Sequence, residues 1–499
     1  MNDSPSRKTE SQSLSHSSLG HFLWMFGGGS AQAILKIVVL MILSRLLTPT
    51  EFGLVAAALT VVALADVFGK IGVAQSIVQM KTLTDEHVRT GTSATLVSGI
   101  LVGVIVFALA DPLGKLYAIE ELPPIVRAFS IIFVIRGIGL ISEALIQRDL
   151  GFRKLASILV ISYFFGYACV SAILAWHGAG AWSLVGGQLA QATLQTLLSV
   201  HLAGYRTAVG FNRRKLASML RFGIGTTLAQ IGNYIALNVD SLIIGRELGS
   251  APLGNYSRAY LLLSQPANII GNMADKVLFP VLSSAQSDLP RLERAYNITI
   301  GLTAITQIPL SVLLCIFGQE VVLVLMGQQW MSAVLPFQIM VCALFFRTAY
   351  KFTGTVLRAM GKVFHAAALQ WAYALFVGVG AIIGVRYGLF GVAIATSLAV
   401  LVCFVSGLWV LHGTFGLNVT KGCRALLRHA CLAIGFALPL LAVRSAIYAV
   451  LDWPALLTLV SGVLTLMLTF ALIAYLTPAV LGEERKPLFS MLGRIMTGT

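Results

Sequence analysis

The sequence contains little charge. Only 11% of its 499 residues are Asp, Glu, Lys or Arg, whereas 57% are hydrophobic and the mean hydropathy is +0.86. A soluble domain usually carries about 25% charged residues. A chain with so few charges cannot cover a water-facing surface of its own size. The composition therefore excludes an ordinary soluble protein and predicts a chain that lies in a lipid bilayer.

Cysteine is also scarce, and common enzyme motifs are absent. The six cysteines show no C-x-x-C spacing, and most lie in apolar stretches, where cysteine behaves as a small hydrophobic residue. The sequence has no G-x-x-x-x-G-K-[ST] loop, no H-E-x-x-H and no G-x-S-x-G. We therefore expect no enzymatic activity, no catalytic residue, no metal and no cofactor.

Long apolar stretches are what the chain has instead. They recur from residue 21 almost to residue 480, and windows of about 20 residues identify about fourteen spans. The runs are too long and too uniform for the alternating strands of a membrane β-barrel. The predicted fold class is an all-α polytopic membrane protein with about 14 transmembrane helices.

Positive charge is concentrated on one side of these spans. The formal net charge is +15. If the N-terminus is cytoplasmic, the loops on that side hold roughly four times as many Lys and Arg residues as the opposite loops. The bias predicts that both termini are cytoplasmic, and it explains the net charge without nucleic acid. Residues 1–20 are polar and rich in serine, so we expect a disordered cytoplasmic tail without a cleavable signal.

An internal repeat organises the spans. The pattern R-x-L-x5-G occurs at Arg45 and at Arg246, and R-x-x-G occurs at Arg148 and at Arg358, with an offset of about 200–210 residues. Repeats with an even number of spans share one orientation and are related by an axis along the membrane normal. We therefore predict two six-helix lobes related by a pseudo-two-fold along the membrane normal. The predicted parts after the tail are 21–211 for the N-terminal lobe, 212–415 for the C-terminal lobe, and 416–499 for two additional transmembrane helices and a cytoplasmic tail.

Six cations remain inside the predicted spans after the loops are assigned. A cation at the bilayer centre costs about 2.5–3.5 kcal/mol on insertion scales, so these side chains should face an aqueous cavity or the lobe interface. They outnumber the embedded acids, which predicts a net positive cavity that binds a diphosphate or an anionic sugar. The six are Lys36, Lys70, Arg136, Arg258, Arg347 and Lys351.

The embedded acids have more than one interpretation. Asp66 lies four residues before Lys70, and Arg136 and Glu143 lie two turns apart, so both pairs can be structural ion pairs. Asp240 can neutralise Arg258 or Lys36, or it can titrate as an ion-coupling site. The three acids are therefore predicted as structural counter-charges or coupling groups.

Arg347 and Lys351 are the most informative cations. They lie four residues apart on the tenth predicted span, so two like charges share one helix face and repel each other. No acid lies within one turn of them in the sequence. Either another helix supplies a carboxylate, or the partner is an anionic ligand.

A glutamine stripe marks the sixth predicted span. Gln188, Gln191 and Gln195 recur at i, i+3 and i+7, so they share one helix face. The stripe can contact sugar hydroxyl groups, or it can hold neighbouring helices together, which is the commoner role of such residues.

Several motifs together resemble a known family. They are residues 144–153 (ALIQRDLGFR), 178–182 (GAGAW), 238–246 (NVDSLIIGR), 278–280 (LFP) and 327–330 (GQQW). Over about residues 20–415 the sequence resembles the Wzx-type polysaccharide flippases of the multidrug/oligosaccharidyl-lipid/polysaccharide exporter superfamily.

The resemblance implies a V-shaped, two-lobe transporter that works by alternating access. Such a protein moves undecaprenyl-diphosphate-linked oligosaccharide across the bacterial inner membrane for O-antigen, capsule or exopolysaccharide synthesis, and cavity cations hold the diphosphate. The expected partners are this substrate, membrane lipids, the polysaccharide polymerase and the export machinery, and not nucleic acid. No cofactor is expected, and transport is expected to be coupled to protons, sodium or the membrane potential.

Two alternative functions remain open. A multidrug or cation antiporter of the same superfamily would need an acid-dominated cavity, and the surplus of cations argues against it. A membrane polysaccharide polymerase or glycosyltransferase usually carries a sizeable loop outside the membrane. The longest loops here, near 203–217 and 276–294, are short.

Overall fold

The computed structural model describes residues 32, 35–70, 72–80, 82–204, 209–284, 288–416, 419–451 and 453–476. Within these ranges the chain is built from helices and contains no strand. The predicted all-α fold class is therefore confirmed. The tail predicted at residues 1–20 lies outside the described residues, as do residues 477–499.

Seven helices of the described ranges are long and apolar enough to cross a membrane, and a bent pair makes an eighth. One of the seven, Phe364–Phe415, has 52 residues and folds back on itself. A Cβ on Gly380 would lie 3.2 Å from the Ala395 Cβ, and a Cβ on Gly384 would lie 2.5 Å from the Gly391 oxygen. The later residue of the first half therefore contacts the earlier residue of the second half, so the two halves form an antiparallel helical hairpin. The count of about fourteen spans is not confirmed and stays a prediction.

The chain divides into two compact units. The first comprises Met1–Tyr234 and Gly249–Ala251, and the second comprises Ile235–Leu248 and Pro252–Thr499. The lobe boundaries expected from the repeat, at residues 211 and 415, stay predictions.

The first unit contains nine helices of the described ranges and the beginning of a tenth. A π-helical segment, Ser162–Cys169, joins α7 to α8, so that Phe152–Trp176 forms one apolar span. The helices are α1 (35–46), α2 (Pro49–Lys70), α3 (Val73–Gln79), α4 (Asp85–Ala108), α5 (Ala110–Tyr117), α6 (Leu122–Arg148), α7 (Phe152–Ile161), α8 (Val170–Trp176), α9 (Ala181–Ala203) and α10 (Arg213–Leu248).

Close glycine contacts position α4 against α6. A Cβ on Gly99 would lie only 2.4 Å from the Phe133 carbonyl oxygen. The Thr95 hydroxyl donates to the Gly137 carbonyl oxygen at 2.9 Å. The residue number falls from 99 to 95 on α4 while it rises from 133 to 137 on α6, so the two helices are antiparallel. Glycine at these points lets the backbones approach closely, as is common between membrane helices.

The second unit contains the rest of α10 and nine further helices of the described ranges. Its core joins α12, α15 and α17 through buried side chains that include Ile300, Phe352 and Phe404. The further helices are α11 (Ser250–Ser284), α12 (Leu289–Ile316), α13 (Gly318–Leu325), α14 (Val334–Cys342), α15 (Leu344–Ala359), α16 (Val363–Gly384), α17 (Gly388–Phe415), α18 (Val419–Ala446) and α19 (Ala455–Leu476).

A break in the backbone sets the direction of α15. The helices α14 and α15 meet at Ala343 with a bend of 49°. Arg347 lies one turn beyond the break, and its amide donates to the Ala343 carbonyl oxygen at 3.0 Å. The break therefore determines the position of Arg347, the first charged residue of α15.

Several helices expose large apolar side chains. On α4, Val97, Leu101 and Val104 are each more than half exposed, and they share one helix face. On α19, Leu464, Met467 and Leu468 are similarly exposed. Soluble proteins rarely leave such continuous apolar surfaces uncovered. Together with the apolar spans, they support a multi-pass membrane protein.

Candidate functional site

The first unit encloses a cavity of about 900 Å³. It is lined by Gln32 and by residues from α2, α3, α4, α6, α7 and α9. A volume of this size accommodates a drug-sized ligand. The polar residues that line it are Gln32, Asp66, Gln75, Gln79, Thr95, Arg136, Glu143, Gln147, Gln195, Thr196 and Ser199.

The short helix α3 brings two glutamines to the cavity. It follows a break after α2, where Gly72 has a φ of 65° that favours glycine. Val73 and Ile77 are buried in a hydrophobic cluster with residues of α4 and α6. Gln75 and Gln79, four residues apart, lie on another face of α3 and line the cavity. The sequence analysis missed both, although their i, i+4 spacing next to an apolar face was a usable signal.

The charged residues of the cavity contact each other or an amide. Arg136 Nη1 lies 3.4 Å from Asp66 Oδ1, which joins α6 to α2. Gln195 Nε2 donates to Glu143 Oε1 at 3.3 Å, which joins α9 to α6. The sequence analysis paired Arg136 with Glu143, whereas the structure gives Arg136 an ion pair with Asp66. Among the described lining residues, two carboxylates face one guanidinium.

The predicted glutamine stripe of α9 divides. Gln195 lines the cavity. The main chain of Gln191 packs against the π-helical segment, because a Cβ on Gly166 would lie 2.5 Å from the Gln191 Cα. Gln188 is half-buried one turn earlier. The cavity instead gains Gln32 and Gln147, which the sequence analysis did not single out.

The second unit contains a chain of polar side chains that ends at Arg347. Asp240 is 4% exposed, and its Oδ2 accepts a hydrogen bond from the Tyr256 hydroxyl at 2.6 Å. Tyr260 follows one turn later on α11 and accepts from Arg347 Nη1 at 2.8 Å. The Arg347 guanidinium also lies 4.9 Å from the centroid of the Tyr260 ring, within cation–π range.

Asp240 and Arg347 are linked through Tyr256 and Tyr260, which lie one turn apart on α11. One of the two alternatives for Arg347, a carboxylate supplied by another helix, therefore has a specific candidate. Arg347 is 8% exposed, and its Nε has no hydrogen-bond partner within the described ranges.

Lys351, like Arg347, faces α11. Its Nζ donates to Asn268 Oδ1 at 3.0 Å, and its Cδ lies 3.4 Å from where a Cβ on Gly271 would be. Both cations of α15 therefore contact α11, as their shared face required. Asn268 is a neutral amide, so this contact is a hydrogen bond and not an ion pair.

The six predicted cations are distributed over both units. Lys36 and Arg136 belong to the first unit, where Lys36 is half-buried on α1. Lys70 also lies there, at the end of α2, but its side chain is outside the described part of the structure. Arg258 is half-buried on α11 of the second unit, two residues from Tyr256.

A further buried charge was missed by the sequence analysis. Glu320 is fully buried at the start of α13 and accepts from Arg444 Nε at 2.8 Å and from the Tyr448 hydroxyl at 2.9 Å. The contacts attach the end of α18 to α13. We assign this cluster to packing of the C-terminal helices. No group of three His, Cys, Asp or Glu residues in the described ranges could hold a metal ion.

These features define a class of protein. Apolar helices with lipid-type surfaces, and polar or charged side chains collected inside each unit, are the construction of a membrane transport protein. The profile of the family described as "Polysaccharide biosynthesis protein" matches residues 42–335. The chain belongs to this family, and the predicted resemblance is confirmed.

Characterised relatives are similar over most of the chain. The lipopolysaccharide biosynthesis protein WzxC of Escherichia coli (strain K12) is 28% identical over 331 residues, which are 66% of this chain and 67% of the relative. The succinoglycan biosynthesis transport protein ExoT of Rhizobium meliloti (strain 1021) is 30% identical over 300 residues, 60% of each chain. The teichuronic acid biosynthesis protein TuaB of Bacillus subtilis (strain 168) is 25% identical over 404 residues, 79% of this chain and 82% of the relative.

Solved structures show the same fold. The lipid II flippase MurJ, in an inward closed conformation, aligns with a TM-score of 0.74 at 14% identity, over 92% of this chain and 99% of MurJ. An inward-facing multidrug resistance MATE family transporter of the MOP superfamily aligns with a TM-score of 0.62 at 18% identity, over 77% of this chain and 96% of that one. The prediction that the chain is not an enzyme is confirmed by these comparisons.

Proposed function

We propose that the protein translocates undecaprenyl-diphosphate-linked oligosaccharide from the cytoplasmic to the outer leaflet of a bacterial inner membrane. The product would serve synthesis of O-antigen, capsule or exopolysaccharide. Membership of the polysaccharide biosynthesis family supports the polysaccharide pathway. The transport protein ExoT among the relatives and the flippase fold of MurJ support the translocation step.

The observation that carries the proposal is the pair of cations on α15. Arg347 and Lys351 lie on one helix face, and both contact polar side chains of α11. Keeping a cation in a membrane span is costly, at about 2.5–3.5 kcal/mol on insertion scales, so a retained pair indicates function. Guanidinium and ammonium groups at this spacing suit the oxygens of a diphosphate, through charge-assisted hydrogen bonds.

The remaining cations and acids have secondary roles in this proposal. Lys36, Lys70 and Arg258 stay predictions as further substrate-binding cations, whereas Arg136 forms an ion pair with Asp66. Asp240 acts as the counter-charge of Arg347 in this proposal, because Tyr256 holds its carboxylate and Tyr260 of the same helix contacts the guanidinium.

Transport is proposed to proceed by alternating access without a cofactor. The loop charges favour cytoplasmic termini. Protons, sodium or the membrane potential would supply the energy. Membrane lipids, the polysaccharide polymerase and the export machinery are the proposed partners besides the substrate, and nucleic acid is not one of them.

One observation favours a second candidate, a multidrug antiporter. The described lining of the first cavity carries two carboxylates and one guanidinium, and an acid-rich cavity suits a cationic drug. The family favours the flippase. A deletion strain that gains drug sensitivity but keeps its surface polysaccharide would support the antiporter.

The flippase proposal is tested by complementation of a deletion strain. Arg347→Ala and Lys351→Ala should each lower surface polysaccharide at least tenfold relative to the amount of the protein in the membrane. The reason is that loss of a hydrogen bond to a charged group costs about 1.5–3 kcal/mol. Lipid-linked oligosaccharide should then accumulate on the cytoplasmic face of the membrane.

The matched control is Arg386→Ala. Arg386 is exposed in the turn between α16 and α17 and should tolerate the change. Normal polymer from both α15 variants, or accumulation of the lipid-linked precursor on the outer face, contradicts the proposal. The second result would indicate a lost polymerase instead.

A further inference from the structure

Among the described residues that line the cavity of the first unit, glutamine amides outnumber charged side chains. Its surface includes Gln75 and Gln79 of α3, Gln147 of α6, Gln195 of α9, and Gln32. A glutamine side chain offers two hydrogen-bond donors and an acceptor, and it carries no charge. Hydroxyl groups, which donate and accept at once, are the natural complement of such a lining.

The electrostatics of the cavity disfavour an anion. The only guanidinium in the described lining, Arg136, is in an ion pair with Asp66. Glu143 adds a second carboxylate, which Gln195 contacts as a donor. A phosphate or a uronic acid entering here would meet an excess of negative charge among these residues. An uncharged, hydroxyl-rich group would not.

The walls of the cavity suit the faces of sugar rings. Phe133, Leu140, Phe152 and Leu155 lie between the polar residues of the lining. A sugar ring presents C–H groups on its faces and hydroxyl groups at its edge. A mixed wall of apolar and amide side chains can therefore contact both. The volume of about 900 Å³ is that of a site for a drug-sized ligand.

Gln75 provides the most specific sign of a ligand site. Its Oε1 is buried and has no hydrogen-bond partner within the described ranges. A buried acceptor without a donor costs free energy unless a ligand or water supplies one. The helix that carries it is fixed, because Arg148 Nη1 donates to the carbonyl oxygens of Ile77 at 2.7 Å and Met80 at 2.6 Å. The open acceptor is thus held in place at the cavity wall.

We infer that this cavity binds uncharged sugar units of the transported molecule through Gln75, Gln79, Gln147 and Gln195. The inference rests on the proposed function and adds a substrate class to it. Neutral sugars are accepted in the first unit, and acidic sugars are disfavoured there. The cations of α15 belong to the second unit and are not among the described residues that line this cavity, so the two sets of residues can be tested independently.

The test measures binding of small probes to the purified full-length protein in nanodiscs by saturation-transfer NMR. The probes are a panel of neutral trisaccharides, a trimer of galacturonic acid and tetraethylammonium. We expect a neutral trisaccharide to bind in the millimolar range and the acidic trimer to bind at least tenfold more weakly. The double variant Gln75→Leu/Gln147→Leu should weaken the neutral sugar at least tenfold.

Gln328→Leu is the matched control, because Gln328 is exposed in the second unit outside this cavity. Size-exclusion elution and circular dichroism check that each variant is folded. If the double variant does not fold, the single variant Gln79→Leu replaces it, since Gln79 is the more exposed residue of α3. Equal or tighter binding of the acidic trimer, binding of tetraethylammonium alone, or binding of no probe overturns the inference.

Cell-based complementation separates this inference from the proposed function. If Arg347→Ala abolishes surface polysaccharide but the double glutamine variant binds neutral sugar normally, the cavity assignment fails and the flippase stands. If deletion of the gene leaves surface polysaccharide unchanged, the flippase proposal fails whatever the probes show.

Discussion

At the scale of single residues, the second unit keeps an acid and a base in its interior and joins them through tyrosines. Tyr256 donates to Asp240, and Tyr260 accepts from Arg347, one turn apart on the same helix. Each charge is thereby hydrogen-bonded, although the two residues come from α10 and α15. A buried charge that loses its compensating partner is strongly destabilising, whereas removal of both partners is often tolerated.

This arrangement predicts the effect of Asp240→Asn. Asparagine keeps an acceptor for Tyr256 and removes the charge that Arg347 faces. We expect the variant to lose about 3 kcal/mol of stability, as when a buried pair loses one partner. The lower Tm is measured on purified protein by scanning fluorimetry. The double variant Asp240→Asn/Arg347→Met should recover most of the Tm but not transport.

The same variant tests the coupling role of Asp240. A normal Tm together with a lost pH dependence of transport would contradict the counter-charge role, and it would identify Asp240 as an ion-coupling site. Glu247→Gln is the control, because Glu247 forms an exposed pair with Arg246, and such pairs contribute little.

The shared face of Arg347 and Lys351 could be predicted, but their partners could not. Helical spacing places residues four apart on one face, and both side chains contact α11. The carboxylate of Asp240 comes from another helix, and no local pattern links it to Arg347. Arg136 shows the same limit. Its spacing of two turns from Glu143 on α6 suggested that these two residues pair, whereas the ion pair forms with Asp66 of α2.

At the scale of helices, small residues were a better guide than charge. Gly99 and Gly103 lie four residues apart, a spacing that lets membrane helices approach closely, and α4 does approach α6 there. The break at Gly72 had no such signal. This break creates the short helix α3 and turns Gln75 and Gln79 toward the cavity. Because the sequence did not reveal the break, the sequence analysis selected the glutamines of the sixth predicted span and missed those of α3.

The α4–α6 contact predicts that Gly99→Ala is destabilising. The added Cβ would lie 2.4 Å from the Phe133 carbonyl oxygen, so the two backbones must separate. Overpacking of this kind costs about 1–3 kcal/mol. We expect a lower Tm and less protein in the membrane.

Gly413→Ala is the control for this prediction. Gly413 lies within α17, and a Cβ there would meet nothing within 4 Å. An unchanged Tm for Gly99→Ala would show that α4 and α6 do not pack as closely as the structure has them.

At the scale of the whole molecule, composition was sufficient for the membrane class, and the family comparison places the chain in polysaccharide biosynthesis. The number of spans was harder to obtain. Short and broken helices, such as α14 with α15, cross or re-enter a bilayer according to packing that hydropathy does not record. The distribution of Lys and Arg between the loops does not depend on the number of spans, and it predicts on which side of the membrane each loop lies.

Two fusion sites test the predicted orientation. Alkaline phosphatase inserted after Gly249, between α10 and α11, should be active, because this loop is predicted to be outside the cytoplasm. Inserted after Lys362, between α15 and α16, it should be inactive, because Arg358 and Lys362 belong to the positive side. Green fluorescent protein at the same sites should give the reciprocal signal. The opposite pattern would place the termini outside, and equal activity at both sites would contradict an odd number of crossings between them.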